Sequence, residues 1–275
     1  MISPLPKPPR IGFPKPAPRP TPKPMRLPKR VPMTLIAGFR CQGRGILLCA
    51  DREEDDGYNK REIDKILQIP LLSDCDVFIA GAGSSGPITR AYYDIGESLK
   101  AADEGSKGIF ANHRSLIESP LENLYKSYPE NMKESQMQLL VIVASRDPQR
   151  VPILYRSERA MLIPEPYYAA YGSGKPIADH LADRLYEHGR LDNPSLAILA
   201  AFIMREAQRT ASGVGLGADL VFIHEGGKAI QFIPPNSVKE LEAGIPKLSD
   251  SIGDHWKAHA TAPEWVAKLI ETKEI

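Results

Sequence analysis

Thr34 is the residue whose chemistry depends most on its place in this chain of 275 residues. It follows a proline-rich segment and begins an apolar run, Thr34-Leu-Ile-Ala-Gly-Phe39. A threonine hydroxyl is a weak nucleophile until a neighbouring base takes its proton, and a free α-amine with a pKa of about 8 can do so at neutral pH. Thr34 therefore predicts nucleophilic catalysis only when it is the first residue, because an intact Met33-Thr34 bond makes its nitrogen an amide.

A glycine-rich run, Gly81-Ala-Gly-Ser-Ser-Gly86, is the second feature with chemical potential. It matches G-x-G-x-x-G and lies between an apolar strand and a helix, as a dinucleotide-binding turn does. That use also needs a parallel strand after the helix, whereas residues 100–136 are polar and helical in pattern. We therefore expect no cofactor, and we interpret the glycines as a loop whose backbone amides approach a substrate and stabilise an oxyanion.

The elements that must position these residues form blocks of strands separated by pairs of helices. Apolar runs predict strands at 34–39, 45–50, 76–80, 138–144, 151–155, 219–223 and 228–233, with another sheet edge at 63–69. Helical spacing predicts helices at 88–101, 116–125, 176–187 and 195–207. This order favours an α+β fold, a four-layer αββα sandwich of two antiparallel sheets flanked by helices, over alternating βαβ units.

Composition divides the chain into three predicted parts. Residues 1–33 hold 12 of the 26 prolines, four Lys, four Arg and no acidic residue, which predicts a disordered leader or propeptide that favours extended polyproline II. This segment is either a spacer or a proline-rich ligand for a partner domain. Residues 34–233 are the predicted globular domain. Residues 234–275 are a C-terminal extension in which Trp256 and Trp265 predict an amphipathic helix.

The patterns of charge, cysteine and histidine exclude several function classes. Beyond residue 33 the chain has 27 basic and 34 acidic residues, which argues against nucleic-acid binding. Its three cysteines lack partner histidines at ligand spacing, which predicts a reduced, cytoplasmic protein without a metal site. No apolar stretch is long enough for a membrane span. We interpret all six histidines, including His113, as surface residues.

Several short motifs occur in an order that resembles proteasome β-type subunits, a family of N-terminal nucleophile (Ntn) hydrolases. The motifs are Thr34-Leu-Ile-Ala-Gly38, Gly45-Ile-Leu-Leu-Cys-Ala-Asp51, Asp64-Lys65-Ile66, Ala82-Gly83-Ser84 and Tyr171-Gly-Ser-Gly174. The resemblance spans residues 34–233 and implies the proteasome-like αββα fold. It also implies a threonine-type endopeptidase that hydrolyses peptides or unfolded proteins within a homo-oligomeric ring, with a regulatory ATPase as a further partner.

The resemblance implies a catalytic role for individual residues when it is carried over position by position. Thr34 is the implied nucleophile, and Lys65 is the implied cation that discourages protonation of the Thr34 amine. Asp51 would hold Lys65 through a charge-assisted hydrogen bond. Gly83 would donate the oxyanion N–H, and Ser173 would hydrogen-bond the amine of Thr34.

Two positions depart from the pattern of that family. Ser212 matches a serine that completes the site, but Arg209 stands where catalytic subunits have an Asp three residues earlier. Met33 stands where catalytic precursors have Gly, which favours initiation at Met33 and methionine removal over self-cleavage or permanent retention of the leader. A retained leader and Arg209 would favour a catalytically silent ring or interaction protein. An amidase or acyltransferase acting on a non-protein amide is a further alternative.

Overall fold

The structure, a computed structural model, describes residues 34–42, 44–55, 60–71, 74–104, 108–128, 137–211, 213–215, 217–227, 230–234 and 236–245. The predicted leader, Ser212, and the predicted extension beyond residue 245 lie outside these ranges, so the predicted domain boundaries stay predictions. Within the described ranges, no helix is both long enough and apolar enough to cross a lipid bilayer.

A first antiparallel sheet contains the strand that follows Thr34. Its five strands are β1 (Leu35–Arg40), β2 (Ile46–Asp51), β10 (Tyr168–Gly172), β11 (Ala218–Ile223) and β12 (Ile230–Ile233). They follow the order β10-β1-β2-β11-β12. Strand β1 is therefore hydrogen-bonded on both sides, by β10 and by β2.

A second antiparallel sheet contains the glycine-rich run at the end of its longest strands. Its strands are β5 (Ile66–Ile69), β6 (Cys75–Gly83), β7 (Met137–Ser145), β8 (Ile153–Glu158) and β9 (Met161–Glu165). They lie side by side in chain order. A separate small hairpin of β3 (Glu53–Asp55) and β4 (Lys60–Glu62) connects the two sheets along the chain.

Within the described residues, five α-helices accompany the sheets. They are α1 (Ser85–Glu104), α2 (Ile109–Ser127), α3 (Lys175–Leu185), α4 (Asn193–Thr210) and α5, which covers residues 236–245. The start of α4 is capped by Asp192, whose carboxylate accepts a hydrogen bond from the Ser195 amide at 2.9 Å.

In the part of the chain that the structure describes, three clusters of buried apolar residues separate four layers. One cluster joins β1 and β2 to helices α3 and α4, the second lies between the two sheets, and the third joins β6 and β7 to helices α1 and α2. Because successive strand residues point to opposite faces, Leu35 belongs to the first cluster and its neighbour Ile36 to the second. This layering confirms the predicted αββα sandwich and excludes the parallel sheet of a dinucleotide-binding domain.

Some elements differ from those predicted by local sequence pattern. Strands β9 and β10 were not predicted, and β9 contains Pro164, which a sheet tolerates on an edge strand such as this one. Helix α2 begins at Ile109, well before the predicted start. The distant Asp74 carboxylate accepts hydrogen bonds from the amides of Ile109 and Phe110 at 3.2 Å and so satisfies this helix end.

The prediction that all histidines lie at the surface is wrong for His113. Its side chain is buried, with Nδ1 at 2.6 Å from the Phe110 carbonyl oxygen and Nε2 at 2.7 Å from the Tyr155 hydroxyl. Burial lowers the pKa of His113, and the hydrogen bond to Phe110 opposes this shift. The neutral ring can donate to the carbonyl and accept from the hydroxyl, so burial leaves no polar group unpaired.

Candidate active site

The antiparallel register brings Thr34 and Asp51 to the same end of the strands in the first sheet. Ile36 pairs with Ala50, so the residue before β1 and the last residue of β2 lie at the same end of the two strands. Thr34 is 3 % exposed and Asp51 is fully buried. The Thr34 hydroxyl donates a hydrogen bond to Oδ1 of Asp51. Two residues separated by a hairpin in sequence are thus in direct contact.

Asp51 accepts four hydrogen bonds, which account for its burial. Oδ1 accepts from the Leu35 amide at 2.9 Å, from Lys65 Nζ at 2.8 Å and from the Thr34 hydroxyl. Oδ2 accepts from the Gly215 amide at 3.0 Å. A carboxylate offers about four acceptor sites, so these four donors use the hydrogen-bonding capacity of the Asp51 side chain.

Lys65 supplies the positive charge of the site. It immediately precedes β5, and its side chain is 7 % exposed. Nζ lies 2.6 Å from Thr34 Oγ1 and 2.8 Å from Asp51 Oδ1, so the ammonium donates to both groups. The first sheet therefore holds the hydroxyl and the carboxylate, and the second sheet brings the cation to them across the interface.

The turn after β10 fixes the main chain of Thr34. The Thr34 amide donates to Ser173 Oγ at 3.3 Å, and the Thr34 carbonyl accepts from Ser173 Oγ at 3.3 Å and from the Gly174 amide at 3.2 Å. Gly172 has φ +102°, and a Cβ there would lie 2.1 Å from the Thr34 carbonyl oxygen. Only glycine fits this close approach.

The glycine-rich run and Lys65 lie at the same end of the strands in the second sheet. Ile66 pairs with Ala80, so Gly81 and Gly83 extend past the start of β5. Gly81 has a packing reason to be glycine, because a Cβ there would lie 2.5 Å from Ile88 Cγ2. Gly83 ends β6 with φ +125°, a backbone conformation that favours glycine. The run thus turns directly from strand β6 into helix α1.

Helix α4 and the segment after it support the site from another side. Gly215 donates to Asp51, and Gln208 Nε2 donates to the Gly217 carbonyl at 3.2 Å. Arg209 points away from these contacts: its side chain is 64 % exposed and pairs with Glu206 at 2.9 Å. The alternating glycines at 213, 215 and 217 were a usable signal for this close approach, whereas the role of Gln208 was not predictable without knowing the fold.

Arg52 is a further residue of this region that local sequence reasoning did not single out. Its side chain is only 21 % exposed and makes ion pairs with Glu62 at 2.9 Å, Asp64 at 3.2 Å and Asp219 at 3.2 Å. Burial raises the pKa of Asp219, and the guanidinium of Arg52 opposes this shift. The four side chains form a charged network next to Asp51 and Lys65.

Comparison of the fold with solved structures gives strong matches over most of the chain. Anbu, an ancestral beta-subunit, from Yersinia bercovieri aligns with a TM-score of 0.66 at 13 % identity, over 84 % of this chain and 99 % of that one. This chain shares the proteasome-like fold of Anbu. An Anbu Gly-1 mutant from Hyphomicrobium sp. strain MC1 matches equally well, with a TM-score of 0.66 at 15 % identity and the same coverage.

A third match concerns an assembly. A helical assembly of the Anbu complex from Pseudomonas aeruginosa aligns with a TM-score of 0.66 at 13 % identity, again over 84 % of this chain and 99 % of that one. No protein-family model and no curated protein matches the chain by sequence. At these identities the comparison establishes the fold, and the chemistry must be argued from the residues at the site.

Proposed function

We propose that this protein is a threonine-type peptidase in which Thr34 is the nucleophile once residues 1–33 are absent. The observation that carries the proposal is the contact of three groups: the Thr34 hydroxyl lies against both the Asp51 carboxylate and the Lys65 ammonium. Buried charges are rare without a functional or structural requirement, and here both of them meet at one hydroxyl.

In the proposed mechanism the free α-amine of Thr34 is the base. It takes the hydroxyl proton as Oγ1 attacks the carbonyl carbon of a peptide bond, and it later returns that proton to the leaving amine. Lys65, held by Asp51, keeps a positive charge beside Oγ1 and so stabilises the negative charge that develops on it. Water then hydrolyses the acyl-enzyme ester on Thr34 and regenerates the hydroxyl.

Three further residues have proposed supporting roles. Ser173 Oγ already lies 3.3 Å from the Thr34 nitrogen, so it would orient the amine once that nitrogen is free. Gly83, at the turn from β6 into α1, would donate its N–H to the oxyanion of the tetrahedral intermediate. Ser212 keeps its proposed role of completing the site beside Gly213.

The Met33-Thr34 bond decides between the active and the inactive form. In the full chain the nitrogen of Thr34 is an amide, whose lone pair is delocalised into the peptide group and is not basic. The leader would therefore silence the site without changing Asp51 or Lys65. Removal of residues 1–33 would supply the base and leave the other groups in place.

A catalytically silent ring or interaction protein is the second candidate function. The observation that favours it is Arg209, which occupies the position where catalytic subunits have an Asp. The Arg209 side chain lies at the surface and pairs with Glu206, so this position supplies no acidic group to the site. The match to the Anbu complex from Pseudomonas aeruginosa supports homo-oligomeric assembly under either proposal. A regulatory ATPase would be a partner of the peptidase alone. An amidase or acyltransferase acting through Thr34 would be distinguished by its preference for small amides over peptides.

The test uses a peptide epoxyketone, a probe that requires both a hydroxyl and a free α-amine on the same residue. We expect a chain that begins at Thr34 to gain one probe mass, and the full chain to gain none. Thr34→Ala should abolish labelling, whereas Thr210→Ala, at an exposed threonine of α4, should not change it. Equal labelling of Thr34→Ala and the unsubstituted protein would refute the assignment of the nucleophile. An unlabelled Thr34 N-terminus that also cleaves neither peptide nor small-amide libraries would favour the silent protein.

A further inference from the structure

We propose that Arg52 is a positioning residue that holds Lys65 against Thr34 and Asp51, an inference that rests on the function proposed above. Arg52 directly follows Asp51, and its guanidinium contacts three carboxylates from two separate segments of the chain. Neither Arg52 nor its partners touch the Thr34 hydroxyl in any described contact. Their effect on the site would be exerted through Lys65.

The first step of the argument is the link to the segment that carries Lys65. Arg52 Nη2 donates to Oδ1 of Asp64, the residue immediately before Lys65, at 3.2 Å. Arg52 Nε lies 2.9 Å from Oε1 of Glu62 as an ion pair without hydrogen-bond alignment. The main chain adds a third link, because the Ile63 amide donates to the Arg52 carbonyl at 2.8 Å.

The second step is the anchor at the other end of the guanidinium. Arg52 Nη1 lies 3.2 Å from Oδ1 of Asp219, which pairs with Ala50 in the β11–β2 ladder. The Arg52 amide donates to the Gly217 carbonyl at 3.2 Å, the same oxygen that accepts from Gln208. The guanidinium therefore links the segment 62–65 to strand β11 of the first sheet.

The third step concerns charge. One guanidinium faces the three carboxylates of Glu62, Asp64 and Asp219, and its planar fork can contact them in different directions at once. A neutral side chain at position 52 would leave three carboxylates close together without their shared cation. Their repulsion would drive the exposed members, Glu62 and Asp64, away from Asp219 and would carry Lys65 with them.

The test measures the accessibility of Lys65 in the full chain, and so it does not depend on catalysis. Competitive acetylation followed by mass spectrometry compares Lys65 with the exposed Lys126 as an internal reference. In Arg52→Gln we expect Lys65 to be acetylated about tenfold faster, because the segment that carries Lys65 would open to solvent more often. Arg52→Lys should recover part of the protection, since one ammonium can hold one carboxylate. Arg150→Gln, at an exposed arginine that pairs with Asp147, is the matched control and should leave Lys65 unchanged.

A second readout separates positioning of Lys65 from general loosening of the fold. Cys49 is fully buried in β2 and should resist alkylation equally in Arg52→Gln and the unsubstituted protein. In a chain that begins at Thr34, Arg52→Gln should slow epoxyketone labelling by up to about 100-fold, and the pH profile of labelling should shift to higher pH. That shift follows because a displaced Lys65 no longer discourages protonation of the amine.

Each outcome decides between defined alternatives. Unchanged acetylation of Lys65 in Arg52→Gln would refute the positioning role. Faster modification of both Lys65 and Cys49 would refute it as well, because it would indicate a general loss of stability. If the unsubstituted chain that begins at Thr34 is never labelled, the peptidase proposal fails, while the acetylation result still decides whether Arg52 holds Lys65.

Discussion

The buried contact between Asp51 and Lys65 makes a quantitative prediction about stability that is independent of catalysis. The perturbation is Asp51→Asn, which keeps the shape of the side chain but removes its charge. Asp51 accepts four hydrogen bonds, whereas the oxygen of an Asn side chain accepts about two. The substitution therefore leaves donors without an acceptor and Lys65 without its buried counter-ion.

The expected magnitude follows from the burial of both partners. Asp51 is fully buried and the Lys65 side chain is 7 % exposed, so water cannot replace the lost carboxylate. Removing one partner of a buried ion pair costs about 3–5 kcal/mol, and we expect Asp51→Asn to lower the free energy of unfolding by this amount. Adding Lys65→Met to Asp51→Asn removes the unpaired charge and should restore about 1 kcal/mol or more.

The assay is urea unfolding at a single protein concentration, which keeps any contribution from assembly constant. Glu122→Gln is the matched control, because it breaks an ion pair with Lys126 in which both side chains are exposed. Its expected cost is about 0.5 kcal/mol or less. A cost below about 1 kcal/mol for Asp51→Asn would refute the reasoning. So would strict additivity of the two substitutions in the double variant.

Three further predictions concern other parts of the fold. Burial lowers the pKa of His113 in the folded state, so its neutral form contributes stability above the unfolded pKa of about 6.5, and this contribution is lost as the pH falls. Between pH 7.5 and 5.5 the unsubstituted protein should therefore lose more unfolding free energy than His113→Gln, by at most about 1.4 kcal/mol, and parallel losses would contradict this. Gly172→Ala should lower the melting temperature, because the added Cβ would lie 2.1 Å from the Thr34 carbonyl oxygen. Gly96→Ala is the control and should not lower it, because the space around that Cβ is open. Equal melting temperatures for the two variants would show that the turn after β10 can move. Burial raises the pKa of Cys49 and of Cys75 to about 12, so both should resist iodoacetamide at pH 8 until the protein unfolds, and rapid native alkylation seen by mass spectrometry would contradict that burial.

Elements of the fold could be predicted from the sequence where a single local pattern determines them. Elements whose position depends on a residue far away along the chain could not. The apolar runs of β1, β2, β6 and β7 are buried on both faces, so they are unambiguous in sequence. Strand β9 is a short edge strand that contains Pro164, which local patterns assign to a loop. The start of α2 depends on Asp74, which is far away along the chain and gives no local signal.

The residues of the candidate site also divide into those that the sequence indicates and those that only the folded chain brings together. The structure brings together four residues that the family resemblance singled out, Thr34, Asp51, Lys65 and Ser173, although their catalytic roles stay predictions. Local patterns could not reveal Arg52, because its function as a link depends on Glu62, Asp64 and Asp219 meeting only in the folded chain. His113 was misassigned for a related reason: its partner, the Tyr155 hydroxyl, lies on another element.

The double pairing of β1 also gives the protein a mechanical property. Hydrogen bonds in an antiparallel sheet run perpendicular to the strands, so a force that pulls Thr34 along the axis of β1 is shared among the bonds to β10 and β2 at the same time. A partner that pulls on residues 1–33 would therefore meet shear resistance at Thr34 instead of peeling bonds one by one. A force applied to the chain just before Thr34 would leave β1 in register with β10 and β2 until several hydrogen bonds break together.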